Sequence, residues 1–349
     1  MILVSAMKKE KILSVKIKCC LFLTMCLGLS ALWLSACEGN SKLPCRESRF
    51  CLNTLVTLTL YDGDGTTILQ EAFKELERLE SLLSAHREGS DIWNINQQAG
   101  EKEAVAIGPE TMELLLAAKE FYTLSDGYLD ITLGPLVDLW DINGEGCVPT
   151  EEERADALSL KGVEELELDE DACTARLPRS GMKLDMGALA KGYIADKLKA
   201  LLLKKGCTSA ILDLGHNILL IGQKPKMTPF SIGIRDPAGE EGDIASVLYV
   251  RDVSVVTSGT YERYFERNGI RYAHILDPYT GAPADTKVSS VTVISNDSLS
   301  GDALSTTCLL LGAERGLALI ESLENTEALF LMEDGTRTMS SGFKAYLEK

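Results

Sequence analysis

Most of the sequence beyond Ala210 reads as short extended runs. Ala210–Leu214, Asn217–Ile221, Phe230–Ile234, Ser246–Val250, Val253–Thr257 and Val288–Ile294 are rich in aliphatic and β-branched residues, and turn residues separate most of them. Strands joined by short turns reverse direction and pair antiparallel. Two helical stretches, about Gly187–Lys204 and Gly301–Leu323, interrupt the series, and Ala328–Met332 closes the sheet. Strands in succession with helices in separate blocks predict an α+β fold, not an alternating doubly wound one.

The first half adds mainly helices. Thr54–Tyr61 (TLVTLTLY) alternates as a strand does and ends at the turn Asp62-Gly63-Asp64-Gly65. Leu69, Phe73, Leu76, Leu79 and Leu83 step by three and four, which predicts an amphipathic helix with its charges outward. A second helix is expected from about Pro109 to Tyr122, with proline in the tolerated first turn. Asn143–Pro149 reads as a loop, and an acidic helix starts at Glu151.

The N-terminus is set apart from this fold. Lys8, Lys9, Lys11, Lys16 and Lys18 precede the apolar run Cys19–Leu34, and Leu34-Ser35-Ala36-Cys37 follows. Small residues before a cysteine form a lipobox, so residues 1–36 are expected to be a lipoprotein signal peptide and Cys37 the acylated N-terminus. An uncleaved anchor is the alternative, though roughly 16 apolar residues are short for a span. Residues 37–50 are then a polar membrane tether and 51–349 the folded domain, in an extracytoplasmic protein anchored by acyl chains.

The formal net charge is −17, and removing a basic leader makes the remainder more acidic still. That balance argues against nucleic acid as a partner and against charge-driven adhesion to anionic lipid. Six cysteines remain after Cys37, without CxxC or Cys/His metal spacing. Pairing of Cys45 with Cys51 stays open, while Cys207 and Cys308 sit among apolar residues and read as small hydrophobes.

The chemistry is concentrated in Leu184–Gly192 (LDMGALAKG), His274–Gly281 (HILDPYTG) and Gly301–Thr307 (GDALSTT). Each combines glycine, a carboxylate, and a hydroxyl, lysine or histidine beside an apolar element. Asp302 and Thr306 are four apart, so on a helix they share a face and can offer oxygen to one hard cation. Lys191 and backbone near the glycines could hold phosphates that such a cation bridges. Plainer readings stand beside these. Ser300 or Asp302 could cap a helix, Lys191 could be solvated, and His274 could be structural.

Together with Ser84–Asn96 (SAHREGSDIWNIN), Ser125–Trp140 (SDGYLDITLGPLVDLW), Leu212–Gly222 (LDLGHNILLIG), Thr257–Tyr264 (TSGTYERY) and the extension of the third run to Gly312, these stretches resemble the ApbE-like family of FAD:protein FMN transferases. The blocks stand in the family's order and span roughly Leu52 to Phe343. The resemblance implies an ApbE-like α+β fold of mostly antiparallel or mixed sheets with packed helices, in two intimately associated lobes. It also implies Mg²⁺-dependent transfer of FMN from FAD to a Thr or Ser hydroxyl of an exported partner flavoprotein, through a phosphoester bond and with release of AMP. Hydrolysis of FAD to FMN and AMP at the same site is the enzymatic alternative. A lipoprotein that only binds and stores FAD is the non-enzymatic one.

By the same resemblance, Asp185 and Lys191 contact FAD, as do Tyr128, Leu129 and Asp130. Leu52 joins this set, His86 stands where the family usually has an aromatic on the isoalloxazine, and the backbone at Ile275 and Leu276 lies along the ligand. The Ala188 carbonyl, Asp302, Ser305 and Thr306 are the implied Mg²⁺ ligands. His274 is implicated in catalysis and is the candidate base, with a nearby carboxylate as the other candidate; Asp302 is counted as catalytic through the cation. His216 departs from the family, which typically has a second glycine there, and its side chain could crowd the ligand or only alter a turn.

Overall fold

The computed structural model describes residues 43–240 and 242–347. The expected leader and the Cys37 lipidation site lie outside the described residues. Pro44–Lys349 form one compact unit, in which the expected lobes are fused.

An eight-stranded sheet organises it: β1 Cys45–Cys51, β2 Thr54–Leu60, β3 Ala210–Asp213, β4 Asn217–Ile221, β5 Ser254–Gly259, β6 Val288–Ser295, β7 Glu327–Met332 and β8 Arg337–Met339. Strand order across the sheet follows chain order, and each neighbouring pair is antiparallel. Two expectations are corrected here. The polar tether stops short of residue 50, because Cys45–Cys51 pairs with β2 along its whole length. The sheet closes on β8, not on β7. Cys45 and Cys51 stand at opposite ends of β1 and are both free. At about 3.3 Å per residue the strand holds them about 20 Å apart, too far for a disulfide.

Period-two alternation splits the core between the two faces of the sheet. Val56, Leu58, Leu60, Leu212 and Leu219 pack under the helices α1 (Gly65–Leu83), α2 (Asp91–Gln97), α3 (Pro109–Leu124) and α6 (Ala190–Lys204). The shorter α4 (Gly134–Trp140) and α5 (Glu151–Ser159) form a satellite cluster around Trp140. On the opposite face Leu220, Val255, Ile294 and Leu329 are covered by the hairpin Phe230–Arg235/Ile244–Val250. The last helix, α7 (Ser298–Glu321), lies on β6 and β7 through Leu304 and Cys308 against Val291, Val293 and Phe330. Gly312 breaks α7 with φ +77°.

Candidate active site

Helices α6 and α7 cross at Gly192. A β-carbon there would stand 2.3 Å from the Ser298 carbonyl oxygen and 2.8 Å from Asp302 Cβ, so only glycine permits this approach. The crossing is fixed by hydrogen bonds. The Gly192 amide donates to Asp302 Oδ2 at 2.8 Å, and Asp196 on α6 accepts from the Ser298 and Leu299 amides at 2.8 Å. Residues 110 positions apart in sequence, Gly192 and Asp302, are thereby joined.

This geometry removes the helix-cap reading of the third run. The cap of α7 is Asp297, whose Oδ1 accepts from the Ser300 amide at 2.8 Å. Asp302 lies a turn further in, 3% exposed. The first run also differs from expectation. An isolated bridge between Leu133 and Lys183 precedes it, and α6 begins at Ala190, not Gly187. Between them Asp185 turns the chain by accepting the Gly187 amide at 2.8 Å. Lys191 consequently stands in the first turn of α6, at the positive end of the helix dipole, which also favours anions.

A cavity of about 290 Å³ opens beside this crossing. Asp185, Ala188 and Lys191 line it from the first run, His274, Ile275 and Leu276 from the second, and Thr306 from the third. Leu52, His86, Tyr128, Leu129 and Asp130 complete the wall foreseen from the sequence. Asp302 and Ser305 do not line the cavity; they stand directly behind it. Ser305 is fully buried, donates to the Asp302 carbonyl at 3.0 Å, and lies 2.8 Å from Ser258 Oγ. Ser258 Oγ is also 3.2 Å from Thr306 Oγ1, so β5 braces the hydroxyl end of the site. Ser258 and Arg263 lie in the run Thr257–Tyr264, where as isolated polar residues of a strand and turn they carry no signal of their own. Glu80, also on the wall, departs from the expected outward-facing charge of α1: its Oε1 accepts the Leu52 amide at 2.7 Å.

The electrostatics suit a charged ligand. Burial raises the Asp302 carboxyl above its ordinary range, opposed by the Lys191 charge and the Gly192 amide. Burial also raises Asp130. Asp130 Oδ1 accepts from the Thr132 amide and hydroxyl at 2.8 and 2.5 Å. His274 is pushed down to about 4, first by burial and then by the Arg263 charge. Its Nδ1 lies 3.2 Å from the Arg263 carbonyl, which can only accept, so Nδ1 carries the proton and Nε2 the lone pair.

Unused hydrogen-bonding capacity gathers at the same place. Among the described residues five buried side-chain polar atoms make no hydrogen bond, and Asp130 Oδ2 and Asn217 Nδ2 belong to this region, as does Glu262 Oε1, whose one close contact is His216 Nδ1 at 3.3 Å. Buried polar atoms are seldom left so, which points to a polar ligand as the missing partner for Asp130 on the cavity wall. Asn217 lies close enough to Asp302 to favour its charged form. Tyr128 gives the wall an aromatic face, 5.0 Å from the Tyr279 ring and 5.0 Å below the Arg315 guanidinium.

No group of three or more His, Cys, Asp or Glu side chains converges as a metal cluster among the described residues. The side-chain donors at the crossing are one carboxylate and hydroxyls. That set is too sparse for a fully enclosed ion and fits a hard cation that keeps water or phosphate oxygens of its own.

His216 does not crowd the cavity. Gly215 and His216, at φ +71° and +64°, are the central pair of a two-residue turn between β3 and β4, with the Leu214 amide donating to the Asn217 carbonyl at 2.8 Å. Two successive left-handed residues make a type I′ turn, whose second position favours glycine. The His216 side chain instead meets Glu262, with Nδ1 3.3 Å from Oε1.

A family model described as the ApbE family matches residues 52–330. The chain is 36% identical over 295 residues to a FAD:protein FMN transferase of Klebsiella pneumoniae, covering 84% of this chain and 91% of that protein. It is also 36% identical over 330 residues to a FAD:protein FMN transferase of Treponema pallidum, covering 88% and 90% respectively. Among solved structures, the ApbE protein of Thermotoga maritima superposes with a TM-score of 0.82 at 31% identity, over 88% of this chain and all of that one. The flavin transferase ApbE of Vibrio cholerae superposes at 0.78 with 28% identity, over 87% and 99%.

Proposed function

The chain belongs to the ApbE family, and from that premise we propose that it transfers FMN from FAD to a Thr or Ser hydroxyl of an exported partner flavoprotein, forming a phosphoester and releasing AMP. The observation that carries this reading is the α6–α7 crossing, which brings Lys191 and Thr306 to one cavity wall, with Asp302 directly behind it, through a glycine contact. Such an arrangement serves attack on a pyrophosphate phosphorus, where catalysis is mainly positioning and charge neutralisation.

Lys191 orients the pyrophosphate at the start of α6. Tyr128 offers a ring face to the flavin or adenine, and the free oxygen of Asp130 accepts from a ligand N–H or hydroxyl. Asp302, Thr306 and the Ala188 carbonyl would hold Mg²⁺, which supplies charge neutralisation on the phosphoryl oxygens when bound. Ser305 supports that set from behind, through Ser258. His274 is neutral at physiological pH with Nε2 unprotonated, so within the cavity it accepts a hydrogen bond. The unprotonated Nε2 is the candidate acceptor for the proton of the attacking hydroxyl. We place the protein outside the cytoplasm, held to the membrane by a lipid on Cys37; the LSAC sequence supports this.

Incubation with FAD and Mg²⁺, with and without an apo-flavoprotein acceptor, tests the reading. AMP release that requires acceptor and leaves flavin covalently on it is the expected result. AMP release with water alone identifies a FAD hydrolase, and FAD binding without AMP identifies a storage protein.

A further inference from the structure

The cavity takes Leu52 from the end of β1 and Lys191 from the start of α6. The opposite end of these elements has a different character. Strand register sets Cys45 on β1, Leu60 on β2, Ala210 on β3 and Ile221 on β4 in one row across that end. Pro44, where the compact unit begins, joins the row at Cys45. Cys37 is seven residues before Pro44, so an acylated Cys37 keeps this row within about 25 Å of a bilayer, the reach of a fully extended chain.

The loop leaving Ile221 projects from the row. The Lys224 amide donates to the Thr228 carbonyl at 3.0 Å and closes the tip Pro225-Lys226-Met227. Lys226 and Met227 are both left-handed, at φ +66° and +60°, a conformation that side chains other than glycine adopt at a cost. Met227 is nonetheless 74% exposed. The loop is fixed from both sides. Arg251 Nη2 donates to the Met227 carbonyl at 3.2 Å, and Ser209 Oγ donates to the Gln223 carbonyl at 2.6 Å. Lys204, which ends α6, stands beside it. Lys204, Lys224 and Lys226 make no ion pair among the described residues. The neighbouring carboxylates are engaged: Asp62 accepts the Thr208 amide and hydroxyl, Asp64 the Thr67 hydroxyl, Glu71 pairs with Lys205 and Asp252 with Lys199. Free cations around an exposed thioether therefore gather on one end of an acidic chain, the end nearest Cys37.

We propose that this end faces the membrane, with Met227 set into the headgroup layer of an anionic bilayer and Lys204, Lys224 and Lys226 on its phosphates. This rests on the lipoprotein reading above and adds which surface meets the lipid. The acyl chain remains the anchor, because the net charge of the whole molecule disfavours an anionic surface. The local cations set the orientation, since a lysine can lay its stem along apolar material and keep its charge at the phosphates. Lys191 and Lys204 are separated by about 20 Å along α6, so the cavity is held about that far above the lipid, clear of it for an exported partner segment.

The test uses the mature protein, its lipid verified by mass spectrometry, in vesicles of phosphatidylcholine alone or mixed with phosphatidylglycerol. Peroxide converts accessible methionine to sulfoxide, so the oxidation rate of Met227 reads its exposure, with buried Met112 and Met182 as references. Oxidation of Met227 should be at least about fivefold slower on the phosphatidylglycerol vesicles, and high salt should remove the difference. Each lysine near an anionic surface contributes about fivefold to docking, so Lys224→Gln with Lys226→Gln should weaken it roughly 25-fold and restore the phosphatidylcholine rate. FAD affinity should hold, because neither residue lines the cavity. Equal Met227 oxidation on the two vesicles, or protection that survives the double substitution, overturns the inference. A mature chain with no lipid on Cys37 overturns the lipoprotein reading and this inference with it.

Discussion

Lys191 brings a full positive charge to the cavity wall of a chain whose formal charge is −17. Pyrophosphate brings about two negative charges to the same place, so Lys191→Ala should weaken FAD binding by about 1.5–3 kcal/mol, the scale of a charge-assisted hydrogen bond. Riboflavin, which lacks phosphate, should bind as before; calorimetry with both ligands separates this from a folding defect, which would weaken them alike. At this scale the sequence was informative where one residue acts through its own chemistry. The Asp302–Thr306 spacing correctly put both on one helix. Their division of labour was hidden, because Thr306 faces the cavity while Asp302 accepts an amide from another helix. Ser258 was hidden for the same reason: its partners Ser305 and Thr306 lie more than forty positions away.

At the scale of elements, the α6–α7 crossing depends on the absence of a side chain. Gly192→Val would drive atoms into the Ser298 carbonyl and should destabilise the fold by about 2–3 kcal/mol, the cost of overpacking, read as a fall in the denaturation midpoint. Asp196 tests the same contact through pH. Burial raises its carboxyl to about 6, although the Ser298 and Leu299 amides favour the charged form. The fold holds this proton more tightly than the unfolded chain, so stability from the group is full in acid and lost as pH rises from about 4 through 6. Asp196→Asn cannot ionise, so its melting temperature relative to wild type should climb between pH 4 and 7. A constant difference would mean that Asp196 titrates normally in the fold. The antiparallel sheet was legible because its strands alternate against two cores. Strand β1 was not: Arg46, Ser48 and Phe50 face outward on an edge, and a strand with polar residues on its open side reads as a tether. The hairpin Tyr264–Arg267/Ile270–Ala273 carries a clear Asn268-Gly269 turn, but its charged flanks mask the alternation.

At the scale of the molecule, the acidic surface leaves the expected acyl chains as the route to the membrane. Cys37→Ser should release the protein from membranes or leave an unprocessed precursor, checked by fractionation; wild type found wholly in the cytosol would contradict the lipoprotein reading. Under the proposed function the α6–α7 crossing is a cation-assisted site, and Asp302→Asn tests this most directly. The substitution keeps size and an acceptor for the Gly192 amide, and it removes a buried charge that the apolar surroundings disfavour. The melting temperature should therefore barely move. AMP release titrated against Mg²⁺ should fall on the order of 10²-fold or more, as for loss of a strong electrostatic stabiliser. Excess Mg²⁺ or Mn²⁺ should recover part of the rate, and Thr306→Val should show a milder form of the defect. An Asp302→Asn enzyme with unchanged activity and unchanged metal dependence would place the cation elsewhere and contradict the account.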